Sequence, residues 1–121
     1  MSSIEERLPG REPYAIYQWA QQLFDARDYV EAGQALEYLL AHFGSEPGTG
    51  EARELLARSY FHSAQLMRAV DAAREILDRD PGNSYAVLLL IRSLHRAGRT
   101  EEAKAAERMA DALGVDVTRP D

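Results

Sequence analysis

Alanine returns at positions 32, 69 and 103, and three other columns keep the same intervals: Trp19, Leu56 and Leu90; Ala20, Ala57 and Ile91; Leu23, Tyr60 and Leu94. A pattern repeated at this spacing commits a chain to stacking copies of one small unit, because a single copy cannot bury its own apolar face. The best-defined copy runs from Gly50 to Asn83. Ala52, Leu55, Leu56, Tyr60 and Phe61 recur there at helical spacing. Leu66, Ala69, Val70, Ala73, Ile76 and Leu77 do so again, so two amphipathic helices joined near His62 to Gln65 are expected. Asp80-Pro81-Gly82-Asn83 closes the unit, since proline disfavours helix in the residue before it, and Asn83 or Ser84 can cap the next helix.

The flanking segments follow the same plan. Tyr14 to Arg27 carries Ile16, Trp19, Ala20 and Leu23 on one face. A second helix is expected from about Val30 to Phe43, opened by Asp28 as a cap with Glu31 reaching back, and stopped by Gly44. Ser45 to Gly50 reads as a loop in which Pro47 to Thr49 are inserted relative to the other copies. A third pair is expected at about Tyr85 to Ala97 and Glu101 to Leu113, with Thr100 as cap. The copies are then 13–46, 50–83 and 84–116. Residues 1–12 read as a charged tail with one short turn started by Ser3, and 117–121 as a second tail.

With its alanine column, the Asp28-Tyr29-Val30-Glu31-Ala32 turn and the Asp80-Pro81-Gly82-Asn83 stop, the chain resembles the tetratricopeptide-repeat family, in three tandem copies. That resemblance implies an all-α solenoid of helix-turn-helix repeats wound into a right-handed superhelix, with the first helix of each pair lining a concave groove. Glu107 and Asp111 depart from the pattern, standing where Leu36 or Ala73 and Leu40 or Leu77 stand in the earlier copies. A polar outer face on a terminal repeat serves as a cap. Gly114 to Asp121 is too short and β-branched to supply the extra solvating helix that family members often carry.

Composition narrows the function. The 121 residues suffice for one domain burying about 65% of its unfolded surface. No cysteine is present, so disulfide frameworks and thiolate metal cages are excluded. The charged start MSSIEERLPGRE lacks the apolar core of a signal peptide, and the longest apolar run is Ala86 to Ile91, so a soluble cytoplasmic protein without a membrane partner is expected. A net charge of -6 argues against nucleic acid, whose phosphates demand several cations. Arginine greatly outnumbers lysine, as a GC-rich bacterial genome would encode.

By register, the groove would be lined by Tyr14, Tyr17, Gln21, Phe24 and Asp25, then Glu51, Glu54, Arg58, Phe61 and His62, then Tyr85, Leu88, Arg92, His95 and Arg96. Tyrosine and arginine bury large surfaces and keep a polar end, which suits binding. Phe24 and Phe61 read as packing between helices. Arg92 and Arg96, four apart on one helix, repel unless an anion compensates, and Arg58 is the counterpart of Arg92 one repeat earlier. Alternatively Glu54 neutralises Arg58 and a nearby acid neutralises Arg96. Family members that clamp the C-terminal carboxylate of chaperone tails do so with lysine, asparagine and arginine at places matching Tyr17, Gln21, Leu55, Tyr85 and Leu89, and none of those types is retained.

The expected function is therefore a non-catalytic adaptor, without cofactor, that binds a peptide segment bearing acidic and apolar residues. The candidate contacts are Tyr14, Tyr17, Gln21, Arg58, His62, Tyr85, Leu88, Arg92 and Arg96. Two rivals are set beside it. A His62, His95 and Asp25 metal site can be drawn by register, although HExxH, phosphate-loop and nucleophile motifs are missing. A homo-oligomeric scaffold could use the stripe Ala103, Ala106, Met109, Ala110 and Leu113, against which stands packing within the third repeat; a monomer or weak homodimer is expected.

Overall fold

Each sequence copy folds as a pair of helices: α2 (Pro13–Asp25) with α3 (Tyr29–Phe43), α4 (Gly50–His62) with α5 (Leu66–Arg79), and α6 (Ser84–Arg96) with α7 (Thr100–Leu113). The one-turn helix α1 (Ile4–Arg7) precedes them. The computed structural model describes residues 4–117, all helix and connecting loop. Ser3, the expected cap of the first turn, lies outside the described residues, as does most of the second tail.

The turn inside each pair is the same device three times. Asp28 N–H donates to Leu23 O at 2.8 Å, Gln65 N–H to Tyr60 O at 2.8 Å, and Arg99 N–H to Leu94 O at 2.9 Å. One residue earlier, Arg27, Ala64 and Gly98 each donate to the carbonyl three residues back, and all three stand in the left-handed region at φ 66°, 60° and 74°. These paired bonds around a left-handed residue make the Schellman motif, which satisfies carbonyls that a helix end leaves open. Gly114, at φ 72°, ends α7 in the same way.

Three capping expectations need correction. Asp28 precedes α3 but makes no side-chain cap bond, and Thr100 is the first residue of α7 rather than its cap, Arg99 holding that place. In both turns the capping residue also closes the Schellman motif of the preceding helix, which leaves its backbone away from the extended conformation that aims a side chain at the next amides. Asn83, in the longer connection between pairs, is extended and accepts from Ala86 N–H at 3.0 Å. Gly44 follows α3 but is right-handed at φ -64°; the left-handed glycine of that loop is Gly48.

From α2 to α7 each helix packs on its chain neighbours, and α1 packs on α3. Beyond that, α2 touches α4 and α4 touches α6, whereas α3, α5 and α7 do not touch one another. The first helices thus converge into an inner layer and the second helices splay outside it, which is how a stack of pairs becomes a curved solenoid. Ala32, Ala69 and Ala103 are completely buried where the two helices of each pair approach. Three apolar patches run along the stack. Ile16, Ala20, Leu36, Leu39 and Leu55 build the first, Ala57, Ile76, Ala86 and Leu89 the middle, and Val70, Val87, Leu90 and Leu94 with Ala103, Ala106 and Ala110 the last. Full burial of one such leucine or isoleucine contributes about 1.5–3 kcal/mol.

Both ends are finished differently. Within the segment read as a tail, Ile4 and Leu8 pack on the first patch and Arg7 forms an ion pair with Glu31 of α3. At the other end, Glu107 Oε1 accepts from His95 Nε2 of α6 at 2.6 Å, while Val115, just past Gly114, packs on the last patch.

Candidate functional site

The inner layer carries a cluster of rings and guanidinium groups where α2, α4 and α6 approach their C-terminal ends. The imidazole of His62 stacks on Tyr29 of α3 at 5.0 Å between centroids, and the edges or faces of Phe24 and Phe61 meet it at 5.5 Å each. Arg58 lies over the Phe24 ring with its guanidinium carbon 4.6 Å from the centroid. Arg96 lies over Phe61 in the same way at 4.7 Å, and its Nη1 donates to the Phe61 carbonyl at 3.5 Å. Two cations are therefore seated over rings contributed by the preceding repeat. Burial lowers the His62 pKa, and Arg58 and Arg96 lower it further.

One helical turn towards the N-terminal ends, the tyrosines take over. Tyr17 is half-buried, and its hydroxyl accepts from Gln21 Nε2 at 3.3 Å. Burial raises its pKa; Glu51 and Glu54 push the same way and Arg58 opposes them. Tyr85 is half-buried beside Phe61, and burial raises its phenol, with Arg58 and Arg92 opposing and Glu54 reinforcing. Arg58 thus contributes to the shifts of Tyr17 on α2, Tyr85 on α6 and His62 on its own helix, each behind burial.

The Glu54–Arg58 pairing considered from sequence does not describe these side chains well. Glu54 instead accepts from Asn83 Nδ2 at 3.0 Å, in the loop leading to α6, and Arg58 turns the other way onto Phe24. Phe24 and Phe61 do pack between helices, yet each also serves as the seat of an arginine.

Of the remaining candidates, Tyr14 is 71% exposed and, with Tyr17, Leu39 and Thr49, borders a cleft of about 240 Å³. Gln21 is exposed, and Leu88 and Arg92 are half-buried on α6. His95 departs from its expected place, because its ring is engaged by Glu107 of α7. The His62, His95 and Asp25 metal site is not assembled: among the described residues no group of three or more histidine, aspartate or glutamate side chains could hold a metal ion. The alanines of the proposed oligomer stripe, Ala103, Ala106 and Ala110, are buried within the last patch, while Met109 and Leu113 are each 41% exposed.

Arg53 was not singled out from sequence. It occupies the column of Ile16 and Val87, both fully buried, and is itself only 9% exposed. Its Nη2 donates to the Gly44 carbonyl at the end of α3, its Nη1 to Thr49 Oγ1, and its Nε faces Glu75 at 3.8 Å. Thr49 Oγ1 in turn donates to the Glu46 carbonyl at 3.2 Å. Arg53 therefore clasps the loop that holds the inserted Pro47 to Thr49. A charged residue in an apolar column, next to an insertion, was the available signal.

Among the described residues no helix is long and apolar enough to cross a membrane. No curated protein matches the chain. The family profile described as Tetratricopeptide repeat matches residues 17–84 and again 63–114, well over half of the chain and across all three helix pairs. Such repeats generally mediate contacts between proteins, and this chain belongs to the tetratricopeptide-repeat family.

Proposed function

We propose that the protein is a non-catalytic cytoplasmic adaptor whose three repeats, over residues 13–46, 50–83 and 84–116, hold a peptide segment of a partner protein against the first helices. The observation that carries this reading is the position of Arg58, seated on Phe24 of the preceding repeat at 4.6 Å in the middle of the first-helix face. A guanidinium fixed on a ring keeps its in-plane donors directed outward and loses little freedom when a carboxylate arrives. Tyr14, Tyr17, Tyr85 and Leu88 supply apolar contact, and Gln21, His62, Arg92 and Arg96 flank the central cation. Aromatic and arginine side chains of this kind carry most of the energy in protein interfaces.

The test compares wild type with the Arg58→Glu, Arg92→Glu double variant, matched for helical content by circular dichroism, as baits in lysate of the source organism. A protein captured by wild type is then reduced to overlapping synthetic peptides. Loss of binding of one such peptide to the double variant supports the reading. Equal binding by both baits moves the site off the inner layer. The homo-oligomer reading has Met109 and Leu113 in its favour, and a concentration-independent monomeric mass in light scattering removes it.

A further inference from the structure

The inner layer separates its charges across its width. On α4, Glu54 and Arg58 stand at a spacing that ordinarily joins them. Here Glu54 is tied to Asn83 and Arg58 to Phe24, so the two diverge towards opposite edges. Along the edge nearer the helix N-terminal ends lie Glu51 and Glu54. Along the other lie Arg58, Arg92 and Arg96. Tyr17 stands in the column of Glu54 and Tyr85 in the column of Glu51, so both lie on the glutamate side of the Arg58 column.

The acidic edge opens into a cleft of about 630 Å³ between the two connections that join the pairs. Glu46, Glu51, Glu54 and Asp80 border it, together with Arg53 and Arg79. Those two cations share the Glu75 carboxylate, each at 3.8 Å, and the four carboxylates of the lining outnumber them. The cleft is thus open to a cationic side chain at its acidic rim.

We propose that the ligand is an extended segment of a partner protein in which acidic side chains alternate with basic ones. This deepens the groove reading and rests on it. Successive side chains of an extended chain point to opposite sides. A segment crossing α2, α4 and α6 would therefore offer one set to the arginine edge and the other to the glutamate edge. Complementary charge on both edges fixes register and direction and rejects segments of a single sign.

A display library of random short peptides is panned on three baits of confirmed helical content: wild type, Arg58→Glu with Arg92→Glu, and Glu51→Arg with Glu54→Gln. Glutamine at 54 can still accept from Asn83. The expected result is that wild type enriches peptides with acidic and basic residues in alternation. The glutamate variant should keep the acidic positions and lose the basic ones, and wild-type-selected peptides should bind it about tenfold more weakly. Enrichment of acid-only peptides that bind wild type and the glutamate variant equally overturns the two-edge inference and leaves the groove reading standing. No enrichment on wild type beyond the arginine variant overturns the groove reading itself, and the inference with it.

Discussion

Arg58 of α4 rests on the ring of Phe24 of α2, 4.6 Å from its centroid, and this contact ties the second repeat to the first across the inner layer. A guanidinium over a ring at a partly exposed site is worth about 0.5–1 kcal/mol. A double-mutant cycle with Phe24→Leu and Arg58→Met should return a coupling of that size in urea unfolding. Additive effects would mean that the stacking contributes nothing beyond packing.

Arg53 should behave as a clamp for the inserted loop. Arg53→Leu, which restores the apolar type of Ile16 and Val87, is expected to cost about 1–3 kcal/mol, because the Gly44 carbonyl and Thr49 lose a charged donor. In a chain with Pro47 to Thr49 deleted, the same substitution should cost markedly less. Equal costs in the two backgrounds would show that Arg53 does not serve the insertion.

Ser93 and Ser59 are both completely buried, in equivalent places on α6 and α4. The Ser59 hydroxyl donates to the Leu55 carbonyl at 2.8 Å, whereas the Ser93 hydroxyl has no partner among the described residues. Ser93→Ala should therefore stabilise the protein by about 1 kcal/mol, while Ser59→Ala should not. Thermal unfolding of the two variants side by side decides the matter.

His62 gives the protein an acid sensitivity of known sign. Its folded pKa lies below the ordinary 6.5, so the unfolded chain binds the proton first as pH falls. The stability it contributes is intact above that ordinary value and is lost as pH drops through the folded pKa. His62→Phe keeps a ring against Tyr29 and cannot titrate. The difference in urea midpoint between wild type and this variant should move against wild type on going from about pH 7.5 to about pH 5. A constant difference would refute the assignment.

The repeat columns were legible because close helix approach admits only a small residue, and Ala32, Ala69 and Ala103 therefore mark the same place in every copy. Helix extents followed from apolar spacing to within a residue or so, as at α3, which begins at Tyr29 rather than Val30. Caps were less legible. Whether Asp28 can turn its carboxylate to the next amides depends on a backbone already committed to closing α2, and residue type does not report that. The arginine seats were hidden for another reason. Arg58 and Phe24 occupy different columns on different helices, so neither spacing within a helix nor alignment of the copies brings them together. Tyr29 joined the ring cluster from a second helix, outside any list drawn from the first helices alone.

The three turns share one left-handed residue but not one residue type: Arg27, Ala64 and then Gly98. A side chain in that region costs about 1–2 kcal/mol that glycine does not incur. The penalty bears on time as well as stability. In a stack coupled only through neighbours, assembly starts wherever a pair closes most readily. The α6–α7 hairpin is expected to close first, and the earlier pairs to add onto it in reverse of chain order. Gly98→Ala should then slow refolding in stopped-flow mixing, whereas Ala64→Gly should act mainly on the unfolding rate. A single glycine would in that case set the direction in which the solenoid winds itself up.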